Sequence, residues 1–163
     1  MIIKLKNKEK LIINDFTFRC SIGLKGLNKS KIEGDKSTPS GNFNLGNLYY
    51  RADRVKKPKT NLKCIKIEKN MGWCNDSKSK HYNKQINITK KIKAEKLYRK
   101  DYKYNLFINI KYNSNKIKPF KGSAIFIHLT NNYKPTAGCI ALKKKDFLIV
   151  AKLLTKNSRI FIS

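Results

Sequence analysis

The chemistry open to this 163-residue chain rests on few side chains: two histidines, His81 and His128, and four cysteines, Cys20, Cys64, Cys74 and Cys139. Cys139 follows Thr136-Ala137-Gly138 and lies 11 residues after His128. Gly138 permits a sharp turn and leaves amide N–H groups unobstructed beside the thiol, which suits stabilisation of charge developing on a carbonyl oxygen. An imidazole near that thiol can take or share its proton, and the surrounding lysine charge is expected to lower the thiol pKa further, giving a thiolate nucleophile. On spacing alone two readings stay open. A cysteine after glycine is more commonly a small buried apolar residue, and a lone histidine at a strand end is more commonly structural. Structural zinc fits poorly, because Cys64, Cys74, His81 and Cys139 lack short paired spacings. Serine chemistry has no G-x-S-x-G turn to rest on. His81 reads as a solvated loop residue.

The elements that must hold the pair follow from periodicity. The stretch 123–129 is rich in β-branched and aromatic residues. A strand there puts Ala124, Phe126 and His128 on one face and Ile125, Ile127 and Leu129 on the other. A ten-residue loop leads to Cys139, and apolar character resumes over 140–142. Phe147, Val150, Ala151 and Leu154 then recur at helical spacing, with Asp146 near the start. A short strand over 159–163 closes the chain. Alternation of Ile3, Leu5, Leu11, Ile13, Phe16, Phe18 and Cys20 predicts two or three short strands with a charged turn at Lys8-Glu9-Lys10. Between Gly23 and Gly46 the glycines and Thr38-Pro39-Ser40-Gly41 predict an ordered loop that leads into a strand over 42–45. Further strands are expected over 61–69 and, half-buried, over 106–112. Met71–Asp76 reads as the start of a polar loop, and 91–102 as a short helix. The expected class is mainly β (α+β), a single domain over 1–163 with one or two helices.

Composition excludes more than it assigns. The net charge is +28, from 38 Lys+Arg against 10 Asp+Glu. Hydrophobic residues make up 40%, too many for a disordered basic tail. No apolar run approaches the ~20 residues of a membrane-spanning helix. Of the basic residues 33 are Lys and only 5 Arg, with Asn (18) and Ile (20) also abundant. Those three residues share A/T-rich codons, so base composition explains much of the charge. A specific nucleic-acid reader would use Arg for its bidentate contacts, which leaves loose attraction to polyanions as the expected electrostatic behaviour. The densest basic runs are Lys56-Lys57, Lys90-Lys91 and Lys143-Lys144-Lys145. No secretory signal is visible at the start, where the apolar residues alternate instead of running for ~7–15 positions. A cytoplasmic location, another export route or a removed leader all fit that start.

Taken together, Ile125-Phe126-Ile127-His128-Leu129 and Pro135-Thr136-Ala137-Gly138-Cys139-Ile140-Ala141-Leu142 resemble the active-site motif of the L,D-transpeptidase catalytic domain, the YkuD family. The resemblance extends through Lys31, Gly34-Asp35, Thr38-Pro39-Ser40-Gly41, Met71-Gly72-Trp73-Cys74-Asn75-Asp76, Tyr82-Asn83 and Gly122-Ser123, in order. The commoner family motif has His before Gly-Cys and Arg two residues after Cys. Here Ala137 and Ala141 stand at those positions, as in a divergent branch reading Pro-Thr-x-Gly-Cys-x-Ala-Leu. Loss of that arginine removes a planar fork for a substrate carboxylate, and Arg99 or a lysine is the candidate substitute.

The resemblance implies a mixed β-sandwich-like fold and a cysteine-dependent acyl transfer on peptidoglycan stem peptides. In it Cys139 attacks the carbonyl joining a diamino acid to a terminal D-Ala. His128 activates the thiol and protonates the leaving amine, and the N–H groups of Gly138 and Cys139 hold the oxyanion. The thioester passes to an amine, to a free D-amino acid or to water, so an L,D-carboxypeptidase or amidase is the alternative; a basic polyanion-binding module is the other. No metal or organic cofactor is implied. Thr136, Tyr82, Trp73, Lys31 and Asp35 are the candidate substrate-binding residues, with Trp73 also readable as core and Lys31–Asp35 as a structural ion pair. An envelope or periplasmic location is implied, where the Lys-rich surface would favour contact with anionic polymers. If the chain is exported, Cys74 could pair with Cys20 or Cys64.

Overall fold

The computed structural model describes residues 1–6, 9–89 and 92–163. The Lys90-Lys91 run, part of the turn at Lys8 and the first residue of the helix expected over 91–102 lie outside the described residues. The chain begins with β1 (Ile2–Lys6), β2 (Lys10–Ile13) and β3 (Phe16–Arg19). It continues through β4 (Leu27–Asn28), β5 (Thr38–Pro39), β6 (Gly41–Tyr50), β7 (Cys64–Lys66), β8 (Met71–Cys74), β9 (Gln85–Asn87) and β10 (Ala94–Lys96). Then come β11 (Leu106–Ile110), β12 (Phe126–Leu129), β13 (Ile140–Leu142), the helix α1 (Lys144–Leu153) and β14 (Arg159–Ile162). This is the mainly β architecture expected.

The main sheet runs β13-β12-β11-β6-β14-β1-β2-β3, with β7 beside β6. Its N-terminal meander aligns Ile3 with Ile13, and Leu11 with both Leu5 and Phe18, so the two-residue alternation delivers one apolar face. At the other end β12 pairs parallel with β13, matching Ile127 with Ile140 and His128 with Ala141. Successive residues of β11 and β12 point to opposite sides. Leu106, Ile108, Ile125, Ile127 and Leu129 join an aliphatic cluster closed by Phe147, Val150, Ala151 and Leu154 at α1. Phe107, Ala124 and Phe126 join a second, aromatic cluster with Tyr49, Trp73, Tyr104 and Cys139. The small sheet β10-β8-β9 carries Trp73 into that second cluster.

Several expectations change. Residues 94–96 form β10 and no helix, because Glu95 and Leu97 alternate inward and β8 offers a free edge, with Glu95 opposite Trp73. Residues 71–74 form β8 where a polar loop was expected; Trp73 and Cys74 are buried, and at Gly72 a Cβ would stand 2.6 Å from the Ile88 side chain. The strand expected over 42–45 runs on to Tyr50 through Gly46, where a Cβ would meet Asn109 Oδ1 at 2.1 Å beside the register shift of β11. β11 is buried on both faces, not on one. Residues 123–125 precede β12 with Ala124 at φ 53°, yet the facing of the stretch is as expected. No described helix is long and apolar enough to cross a membrane.

Candidate active site

Parallel pairing of β12 with the chain entering β13 decides the geometry. Opposed residues of a parallel pair share a face, so Phe126, His128, Cys139 and Ala141 all point into the aromatic side. There a cleft of about 570 Å³ opens, with both Cys139 and His128 in its lining. His128 is 6% exposed and Cys139 8%, so both side chains are almost wholly enclosed.

The imidazole is oriented by its own strand: Nδ1 lies 2.9 Å from the Leu129 carbonyl oxygen. A carbonyl can only accept, so Nδ1 carries the hydrogen and Nε2 is left as the acceptor. Burial lowers the His128 pKa to about 4, partly countered by that hydrogen bond and reinforced by Lys103 and Arg99. The ring is therefore neutral near pH 7. The thiol of Cys139 donates to the Ala124 carbonyl at 3.3 Å and accepts from the Phe126 N–H at 3.4 Å. Burial and then the Glu95 carboxylate push its pKa up to about 12, against the opposing pull of Phe126 N–H, Lys31 and Tyr104. This corrects the expectation that lysine charge yields a thiolate. Desolvation exceeds the lysine contribution, and the resting pair is thiol and neutral imidazole.

Around Cys139 the turn is tied from three sides. Thr136 Oγ1 donates to the Cys139 carbonyl at 2.6 Å and accepts the Gly138 N–H at 3.1 Å. Thr38, fully buried, donates its hydroxyl to the Gly138 carbonyl at 2.8 Å and accepts the Gly23 N–H at 2.9 Å. Bridges from Ser21 to Ala141 and from Gly23 to Thr136 stitch the loop to the segment after β3. Gly138 sits at φ 141°, and a Cβ there would meet Ser37 O at 2.7 Å; both facts require glycine. Of the two expected oxyanion donors, the Gly138 N–H is occupied by Thr136. The Cys139 N–H has no acceptor among the described residues.

The other candidates divide. Lys31, 4% exposed, donates to Asp35 Oδ1 at 2.6 Å and to Ser37 O at 2.9 Å while its flank lines the cleft. Burial works against charge on Asp35. Hydrogen bonds from Lys31, Ser37 and the Ile32 amide outweigh it and hold the carboxyl well below its usual range. The pair is thus a structural clamp on the loop carrying Thr38, and Asp35 is not in the cleft lining. Trp73 and Tyr82 do not reach the lining either. Trp73 packs edge-on to Phe126 at 5.2 Å and donates to Asn83 Oδ1 at 2.9 Å. The same Asn83 oxygen accepts the Ala124 N–H at 3.1 Å, fixing the residue whose carbonyl holds the thiol. Tyr82 donates to Glu33 and accepts the Gly122 N–H at 2.9 Å. His81 is half-buried in its loop. All four cysteines are free, so the suggested Cys74 pairings are not formed.

Tyr104 and Glu95 of the cleft escaped sequence reasoning. Tyr104 lies edge-on to His128 with ring centroids 5.5 Å apart and donates its hydroxyl to Glu95. Arg99, expected only as a possible carboxylate binder, also lines the cleft, its guanidinium 5.0 Å from the Tyr104 ring centroid. The available signal was Glu95 alternating with Leu97, a lone inward acid in a lysine-rich stretch.

The model of the YkuD family, the L,D-transpeptidase catalytic domain, matches residues 3–162. No curated protein matches the chain. The crystal structure of the helical cell shape determining protein Pgp2 from Campylobacter jejuni is similar, with TM-score 0.54 and 19% identity. A lysine-to-alanine mutant of Pgp2 gives TM-score 0.53 at the same identity. Each likeness covers 99% of this chain but 46% of the other, so this chain spans about half the length of those structures.

Proposed function

The chain belongs to the L,D-transpeptidase catalytic domain family, and on that premise we propose that residues 1–163 act as one cysteine-dependent acyl-transfer domain on peptidoglycan stem peptides. The observation carrying this reading is the shared face of β12 and β13. It puts a neutral imidazole and a thiol in one cleft, with Nε2 and the Cys139 amide unengaged among the described residues.

With thiol and imidazole both neutral at rest, attack is coupled to proton transfer. The Cys139 Sγ–H leaves the Ala124 carbonyl, Nε2 of His128 takes the proton, and Sγ forms a bond to the carbonyl carbon before the terminal D-Ala. The Cys139 N–H donates to the oxyanion. A second donation, from Gly138, requires its N–H to leave Thr136. Collapse of the tetrahedral adduct breaks the C–N bond, and the imidazolium returns its proton to the departing amine. The thioester is then resolved by the amine of another stem, by a free D-amino acid or by water. An envelope location goes with this chemistry and is part of the proposal. Pgp2 is described as determining helical cell shape, and a contribution to cell shape is part of the proposal. The Lys-rich surface supports weak attraction to anionic wall polymers.

The test is incubation with a disaccharide-tetrapeptide, with and without a D-amino acid, followed by mass spectrometry. Exchanged or dimeric products identify a transferase; tripeptide alone identifies water as the acceptor. No change in the substrate, together with salt-sensitive, site-preferring nucleic-acid binding, would overturn the reading in favour of a binding module.

A further inference from the structure

At the end of the main sheet far from the cleft, the strands are covered on one face only. Ile160 of β14, Ile3 and Leu5 of β1, and Leu11 and Ile13 of β2 enter the aliphatic cluster. The residues between them point the other way. Register sets these outward residues side by side: Arg159 beside Asn44 and Ile2, Phe161 beside Asn42 and Lys4, Lys4 beside Ile12, and Lys6 beside Lys10. From β6 to β3 the surface is about 20 Å wide at the usual strand spacing of about 4.8 Å. None of its strands carries an acid; Glu9 and Asp15 lie in the connecting turns. Lys4, Lys6, Lys10 and Arg159 are exposed and, among the described residues, in no ion pair. Arg19, at the outer edge, turns over the Tyr133 ring.

A one-sided sheet ordinarily turns polar residues to water. Here Lys4 is flanked by three apolar side chains: Ile2, 53% exposed, Phe161, 41% exposed, and Ile12, half-buried. A second observation lies at the β6 end of the same face. A hollow of about 280 Å³ is lined by Asn42, Asn44, Lys111, Ser114, Lys116 and Arg159, with no acidic side chain in its wall. Three cations with amide and hydroxyl donors suit an anion of phosphate size, and Arg159 belongs to both hollow and strip.

A soluble polyanion would meet this surface by charge alone, and the isoleucines offer nucleobases no ring to stack on. The interface of a bilayer takes both kinds of group: cations meet lipid phosphates, while apolar side chains enter the boundary between head groups and acyl chains. We propose that the outward face of β14, β1 and β2, with the hollow beside β6, docks this domain on an anionic lipid surface. Lys4, Lys6, Lys10 and Arg159 contact head-group phosphates, and Ile2 and Phe161 insert between them. None of these residues lines the cleft, so the docking is independent of the acyl-transfer reading. The helix α1 also exposes Leu148 and Ile149 among lysines, over a strip that includes Asp146, and it supplies the control.

The test is sedimentation of the full chain with vesicles of phosphatidylcholine alone and of phosphatidylcholine and phosphatidylglycerol in equal parts, with soluble polyphosphate as a separate probe. Binding to the anionic vesicles only is expected, weakened about tenfold or more in Lys4→Gln/Lys6→Gln/Arg159→Gln. Lys144→Gln/Lys145→Gln/Lys152→Gln removes the same charge from α1 and should weaken binding less than about threefold. Ile2→Thr/Phe161→Thr should lower vesicle binding about tenfold and leave polyphosphate binding within about twofold. Thermal melting checks the fold of each variant. A lysine-acetylation footprint of the unsubstituted protein needs no variant: vesicles should protect Lys4, Lys6 and Lys10 and leave Lys144 and Lys145 reactive. Equal losses in the two triple variants would make overall charge the cause, and a larger loss in the helix variant would move the contact to α1. Vesicle binding indifferent to Ile2→Thr/Phe161→Thr would make the face a site for soluble polyanions. Each of these results overturns the proposal, as does failure to bind the anionic vesicles.

Discussion

The two faces of β12 bury opposite kinds of material. On one face Ile125, Ile127 and Leu129 meet the aliphatic side chains of α1 and of the N-terminal meander, and Cys20 is packed among them. On the other, Phe126 and His128 meet Tyr104, Trp73 and Phe107, with Cys139 at the rim. Both thiols are buried and both are pushed up to about 12, chiefly by desolvation. Of the two, only Cys139 shares its face with an imidazole and, among the described residues, carries an unengaged amide. Burial, then, does not separate the two thiols; the polar groups delivered to the same face do, and they single out Cys139 as the proposed nucleophile. The aliphatic face supplies stability, and the aromatic face supplies orientation.

Substitutions should separate these roles. His128→Gln, which removes the proton acceptor, is expected to lower turnover by about 10²–10⁴-fold, read as kcat for D-Ala release. A fall of less than tenfold would remove His128 from the reaction. Leu11→Ala, on the aliphatic face at 0% exposure, should destabilise the fold by about 2–5 kcal/mol in denaturant unfolding. Its kcat per folded molecule should stay within twofold; a larger loss would mean the two faces are not separable.

Acid should find the aromatic face first. The folded His128 pKa of about 4 lies below its ordinary 6.5, so the unfolded chain binds more protons between these values. Stability contributed by the neutral ring is present above pH 6.5 and lost as pH falls towards 4, by about 3 kcal/mol at most. Unfolding measured from pH 7 to 4 should show this slope, and His128→Gln should flatten it. Thr136→Val is the mildest break. It removes two hydrogen bonds from the turn before Cys139 and should cost about 1–2 kcal/mol. Because it also frees the Gly138 N–H, kcat should fall less than the stability loss alone would suggest. A loss as large as that of His128→Gln would make Thr136 part of the chemistry.

Legibility in the sequence followed the same division. Strict alternation exposes the meander, the facing of residues 123–129 and the helix α1, because one-sided burial writes a period of two or 3.6 into the chain. Cys139, His128 and Gly138 could be read from a compact motif. The roles of Trp73 and Tyr82 could not, since an aromatic beside glycine looks the same in a wall as in a groove. Short strands such as β8 and β10 escaped because three or four residues carry too little period, and with them went Glu95. Thr38 looked like a turn residue; its bond to Gly138 spans 100 positions and exists only after the sheet closes. The thiol's raised pKa was hidden for the same reason: lysine count is visible in a sequence, whereas desolvation is a property of the packed site.

The most direct test of Cys139 as the nucleophile is mass spectrometry of the intact protein after brief mixing with a stem tetrapeptide, followed by peptide mapping. The expected result is a tripeptidyl adduct on the fragment containing Cys139, formed with one equivalent of D-Ala and absent in Cys139→Ala. Undiminished D-Ala release by Cys139→Ala, or an adduct on any other residue, would contradict it.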